Sequence, residues 1–168
     1  MKILKTFLTV TLLTLPYLVS AQDISIRGAQ ITEYGIYAAS KIGTAVESQT
    51  AAGGIDKLNQ IYLKEKTKRV PGLIGTRFGF RFVIDGYPKG KEITLTKVNI
   101  FPPPGLKNPS SGKSYEGEKF NFLGKIGVER YVDYGFDNDW EIVPGDWTTQ
   151  IWYEDKKLCE ITFTVYRP

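Results

Sequence analysis

The sequence contains no histidine and a single cysteine, Cys159. The first absence excludes Ser-His and Cys-His nucleophilic catalysis, imidazole acid–base work at neutral pH, and ordinary zinc sites. The second excludes a thiolate metal cluster and any intramolecular disulfide, so the fold has to hold by packing alone. Long apolar runs are equally scarce. The one uncharged stretch, residues 7–19, is shorter than the roughly 20 apolar residues of a spanning helix. Residues 39–60 are the best helical candidate, and Gly43, Gly53 and Gly54 interrupt them.

The N-terminus carries a leader pattern. Lys2 and Lys5 form a short positive region, residues 7–19 follow as the apolar stretch, and Val19-Ser20-Ala21 sets small residues just before Gln22. This arrangement predicts a cleaved signal peptide over residues 1–21, with the cut between Ala21 and Gln22. The expected location is periplasmic or extracellular, with no membrane span in the mature chain. Residues 22–168 are near the commonest size for one domain and are expected to form a single one. Of 22 basic and 18 acidic residues, Lys2 and Lys5 leave with the leader, so the mature chain keeps 20 against 18, a net charge of +2. That balance argues against a nucleic-acid partner.

What is present is period-two alternation. Phe78, Phe80, Phe82 and Ile84 alternate with Arg77, Gly79, Arg81 and Val83, the pattern of a half-buried antiparallel strand. Turn formers fill residues 85–90, and a return strand is expected over 93–101. Its apolar phase shifts from Ile93 and Leu95 to Val98 and Ile100, which predicts a bulge near Thr96 and Lys97. Residues 29–46 and 55–64 read as a long hairpin with its tip at 49–54. Pro102, Pro103 and Pro104 stop the return strand, because proline lacks a ladder donor. Residues 106–117 read as a surface loop. Strands resume at 128–136, 147–154 and 158–166, the last two joined by a compact hairpin. Cys159 shares a strand face with Ile161, Phe163 and Val165 and is read as a small buried hydrophobe.

The expected fold is all-β: an immunoglobulin-like antiparallel sandwich of about seven or eight strands, without a disulfide. A small outer-membrane barrel also alternates, but the proline-rich segment and the arginines between the phenylalanine rows suit a water-facing sheet better.

The C-terminal half carries a recognisable order of motifs. Phe101-Pro102-Pro103-Pro104-Gly105 is followed by Asn108-Pro109, Gly112-Lys113 and Phe136-Asp137. Trp140-Glu141-Ile142-Val143-Pro144-Gly145-Asp146-Trp147 and Gln150-Ile151-Trp152-Tyr153 come next. With Phe78-Gly79-Phe80 and Gly86-Tyr87-Pro88 upstream, the sequence resembles the bacterial family called domain of unknown function 3859, over about residues 70–166. The resemblance implies exported, β-rich bacterial proteins and carries over no activity, cofactor or site residue. The run from Pro144 to Tyr153 also looks like the penultimate strand of immunoglobulin-like sandwiches, which would turn Trp147, Thr149, Ile151 and Tyr153 inward.

Three groups of residues remain as functional candidates. Trp152 falls on the outer strand face with Thr148 and Gln150; exposed, the indole would mark a sugar or protein contact, and covered, it would pack beneath a loop or the long N-terminal hairpin. Trp140 stands beside an acidic corner of Asp137, Asp139 and Glu141, with Asp133 and Asp146 near; oxygen ligands at alternate positions can wrap calcium, but the sharp-turn glycine is absent, so no metal or other cofactor is expected. The basic run Lys64-Glu65-Lys66-Thr67-Lys68-Arg69 is read as a charged hairpin end or a guarded sheet edge. Gly112-Lys113-Ser114 lacks the glycine of a phosphate-binding loop, since Lys107 stands in its place. Ser110-Ser111-Gly112-Lys113 lacks the partner motifs of a serine–lysine hydrolase. The resulting expectation is a non-catalytic binding or accessory protein of the bacterial envelope acting through protein contact, with binding residues Trp152, Gln150 and Trp140 and an envelope protein or glycan as partner. The alternative is a carbohydrate-binding module; a more remote one is a carboxylate-based hydrolase.

Overall fold

Alternating burial organises the core strands of the computed structural model, which describes residues 23–168. The expected leader, with Ala21 and Gln22, lies outside those residues. The strands are β1 (Ser25–Val46), β2 (Gly54–Glu65), β3 (Arg69–Pro71), β4 (Arg77–Tyr87), β5 (Glu92–Ile100), β6 (Leu106–Lys107), β7 (Ser114–Tyr115), β8 (Gly117–Lys125), β9 (Glu129–Gly135), β10 (Gly145–Tyr153) and β11 (Lys156–Tyr166). A 3-10 turn, Asp139–Glu141, precedes β10. No helix among the described residues is long and apolar enough to cross a membrane.

Two sheets face each other. One runs β2-β1-β4-β9 and the other β3-β11-β10-β5-β8, while β6 and β7 form a small separate ladder. The expected immunoglobulin-like sandwich is the observed fold. Pairing is antiparallel except for β3 against β11. Phe78, Phe80, Phe82 and Ile84 of β4 point between the sheets, each 2% exposed or less. They meet Ile93 and Leu95 of β5, Trp147 and Ile151 of β10, and Ile161, Phe163 and Val165 of β11 in one continuous core. Cys159 packs against that core as a half-buried thiol. At one end Trp147 is ringed by Phe78, Phe101, Tyr134 and Phe136, with centroids 4.9–6.0 Å away.

Two local expectations are corrected. No bulge occurs near Thr96 and Lys97: β5 stays in unbroken register with β8 from Glu92 to Ile100. The strand keeps its phase, so Lys97 and Asn99 point inward and Val98 and Ile100 outward. Polar partners from other strands make those inward positions tenable. Residues 106–117 are more structured than a surface loop, since β6 and β7 pair there and Leu106 is fully buried. β8, which follows, has no counterpart among the strands read from the sequence.

β1 serves two strands in turn. Residues 25–37 pair with β4, and residues 36–46 pair with β2. Register shifts interrupt both ladders, and such bulges bend and twist a strand. Gly35 within β1 has φ 149°, and a Cβ there would collide with the Glu65 carbonyl. The β1–β2 hairpin consequently reaches over to the second sheet. At its tip the Ala51 amide donates to Glu118 Oε2 of β8 at 2.8 Å, and Asn108 Nδ2 donates to the Ala51 carbonyl at 2.8 Å.

Candidate functional site

The outer face of the five-stranded sheet carries two of the three binding residues expected from the sequence, Gln150 and Trp152. On β10, Thr148, Gln150 and Trp152 lie opposite Ile100, Val98 and Thr96 of β5. The next strand, β8, places Lys119 beside Val98, Asn121 beside Thr96 and Leu123 beside Thr94. Ile100 and Leu123 are exposed, and the polar residues around them are threonine, asparagine and glutamine, with Lys119 of β8 and Glu160 of β11 as charged neighbours. The Trp152 indole donates from Nε1 to Gln150 Oε1 at 2.9 Å, and Gln150 Nε2 donates to Glu160 Oε2 at 2.6 Å. This chain of bonds fixes the indole against the sheet and removes rotamer freedom that binding would otherwise have to freeze.

The third predicted residue is elsewhere. Trp140 is half-buried and packs against the core in the 3-10 turn ahead of β10. The acidic corner around it is internally satisfied. Glu141, 2% exposed, accepts from Tyr134 Oη at 3.2 Å, from the Asp137 amide at 2.9 Å and from the Asn138 amide at 2.6 Å. Burial pushes its carboxyl above the usual range, while these donors oppose the shift. Among the described residues no group of three or more carboxylate or thiol side chains could hold a metal ion.

The remaining motifs also find places. Lys66 and Lys68 each lie 5.6 Å from the Tyr34 ring centroid, and Arg69 lies 4.5 Å from that of Tyr166. The run therefore caps aromatic surface near the β2 and β3 ends. Ser110 and Ser111 belong to the exposed turn between β6 and β7, where their amides donate to Asn108 Oδ1.

A second site was not anticipated. Beneath the β1–β2 hairpin is a cavity of about 200 Å³, bounded by the hairpin, the ends of β4 and β9, the inner face of β5 and β8, and the acidic turn. Lys97 and Phe120 are its buried inner lining, and Lys41 and Asp137 are exposed at its mouth. Lys97, 4% exposed, donates from Nζ to the Asp133 carbonyl at 2.5 Å. Burial lowers its pKa, and the charges of Asp133 and Glu118 only partly compensate. Asn99 beside it donates to Glu118 Oε1 and accepts from Thr149 Oγ1, both at 2.8 Å.

Ion pairs tie the hairpin to the sandwich around this cavity. Arg77 of β4 bridges Asp133 of β9 and Asp56 of β2, at 2.6 and 2.5 Å. Lys41 of β1 joins Asp56 and Asp137, at 2.8 and 2.6 Å. Burial alone would raise the Asp56 carboxyl, but Lys41 and Arg77 outweigh it and hold the group below the usual carboxylate range. The signal for this site was the in-phase row Ile93, Leu95, Lys97, Asn99. Choosing the apolar pair Val98 and Ile100 as inward hid it.

Two stacked sheets with alternating inward residues and no disulfide define an immunoglobulin-like sandwich. Among solved structures the chain is similar to an immunoglobulin-like protein from Pseudomonas aeruginosa, at TM-score 0.55 and 26% identity, over 88% of this chain and 99% of that one. The model of the family described as Domain of unknown function (DUF3859) matches residues 26–165, and the chain belongs to that family. No curated protein matches it. The alkylpurine DNA glycosylase AlkC of Pseudomonas fluorescens, bound to DNA containing an abasic site analog, aligns at TM-score 0.37 and 14% identity over 56% of this chain and 27% of its own; this likeness carries no argument.

Proposed function

We propose that this protein is a non-catalytic binding or accessory protein of the bacterial envelope that acts by contact with another protein. The observation that carries the reading is the tethered, half-buried Trp152 on the outer face, opposite Thr96 and in one row with Gln150 and Thr148, which lie opposite Val98 and Ile100. A rigid aromatic beside apolar and amide side chains, with the charges of Lys119 and Glu160 around it, has the composition of a protein-contact centre. The envelope location rests on the leader pattern of residues 1–21.

Two observations weigh against the alternatives. A flat sugar platform would want Trp152 and Trp140 side by side. Trp140 instead precedes β10, and Trp152 stands near that strand's far end, seven residues beyond Gly145 or about 23 Å of extended chain. For hydrolysis, the cavity carboxylates would need a free acid and base. Those of Asp56, Asp133, Glu118 and Glu141 are instead engaged by Arg77, Lys41, Asn99, the Ala51 amide and the acidic turn.

The test is a photo-crosslinking residue placed in cells at Gln150, and separately at Thr32 on the opposite sheet as control. A discrete protein adduct from the first position alone, lost on Trp152→Ala, is the expected result. Equal labelling from both positions, or none, would refute the assignment of the face. Glycan adducts from Gln150 would favour the carbohydrate reading instead.

A further inference from the structure

Lys97 presents an unresolved requirement. An ammonium has three donors, and among the described residues one acceptor meets it, the Asp133 carbonyl. Buried charges are stable only when paired and fully hydrogen-bonded, so the other two N–H groups need acceptors inside the cavity that Lys97 lines. Something polar belongs there.

The lining limits what that is. Lys41, Arg77 and Lys97 face the carboxyls of Asp56, Glu118, Asp133, Asp137 and Glu141, an excess of two negative groups. Burial disfavours charge on both Lys97 and Glu141, and neutralising the two together leaves the excess unchanged. A net anion such as phosphate is therefore repelled, and a bare cation would be repelled from the Lys97 end. The volume, about 200 Å³, lies below the roughly 300 Å³ at which drug-sized ligand sites begin, so an oligosaccharide does not fit. Phe120 and Ile55 provide apolar wall between the two ends. At the mouth, Asp137 accepts from Lys41 through Oδ2 and keeps Oδ1 4.0 Å from the nearest Arg77 nitrogen, leaving that oxygen open to another donor.

We propose that this cavity binds a free amino-acid-sized zwitterion, its carboxylate on the two spare Lys97 protons and its ammonium toward Asp137. A carboxylate restores the solvation Lys97 loses on burial, and the ammonium answers the excess of acids. The Arg77 and Lys41 ion pairs hold the hairpin over the bound molecule, so occupancy stiffens the contact between the hairpin and β8.

The experiment is a titration of the purified protein with the standard amino acids one at a time, read by amide NMR shifts at Gly135 and Glu118 and by thermal unfolding. At least one is expected to bind, and its amide and its N-acetyl derivative, each lacking one charge, should bind about tenfold or more weakly. Lys97→Met should abolish binding; if that variant does not fold, Asp137→Asn, at an exposed position, should weaken the zwitterion and spare the N-acetyl derivative. Shifts from glycerol or glucose equal to those from the best amino acid would overturn the proposal. So would no response to any amino acid, which would mean that the cavity holds water only.

Discussion

Lys97 of β5 donates from its ammonium to the main-chain carbonyl of Asp133 on β9, at 2.5 Å, joining the two sheets through the interior. The bond stands where the sandwich would otherwise be apolar. It explains why β5 keeps its phase through a lysine and an asparagine. It also marks where the fold has given up hydrophobic burial for a polar interior.

Replacing Lys97 with methionine, of similar volume, tests what the charge costs. Lys97→Met leaves the Asp133 carbonyl without this donor and the cavity acids with one counter-charge fewer, so its informative readout is how the stability difference changes with pH. Burial lowers the Lys97 pKa, so the folded chain releases this proton at lower pH than the unfolded chain. Between those two values the unfolded state binds more protons, and stability rises with pH. Relative to the parent, Lys97→Met should therefore fare best below the folded-state pKa of Lys97 and lose ground as pH climbs to the ordinary lysine range. Urea denaturation of both proteins across that range checks it, the difference cancelling titrations they share. A constant difference would mean that the ammonium carries no burial penalty.

Arg77→Ala should destabilise by about 2–4 kcal/mol, because Asp56 and Asp133 lose a shared partner in a mostly buried setting. The side chains concerned are 12–15% exposed, so solvent screens them little. Arg27→Ala removes the exposed pair with Asp85 and should leave stability unchanged. Equal losses in the two variants, measured by chemical denaturation, would contradict the burial argument.

Phe80, fully enclosed between the sheets, gives the plainest packing prediction. Phe80→Ala should lose about 3–5 kcal/mol, combining lost transfer energy with the cavity left behind. An equilibrium denaturation midpoint close to that of the parent would be incompatible with the inward face of β4.

Cys159 should resist thiol reagents in the native state. Burial pushes its thiol up to about 12, so almost no thiolate is present at neutral pH. Labelling with a maleimide should track unfolding; fast modification of folded protein would show that the thiol is accessible and ionised.

The sequence by itself determined the strand class and much of the order of the strands, because side-chain alternation is local. The phenylalanines of β4 and the inward Trp147 and Ile151 of β10 could be read without knowing any neighbour. It determined as well that histidine and disulfide chemistry are absent. Only the tertiary structure decided the face of Lys97 and Asn99, whose burial depends on Asp133, Glu118 and Thr149 from other strands. β8 escaped notice for a related reason: Gly124, where a Cβ would press on Leu95, has meaning only once β5 is beside it. The cavity under the β1–β2 hairpin was invisible for the same cause, since Arg77, Asp56 and Asp133 stand 21 and 56 residues apart and meet only through long-range pairing.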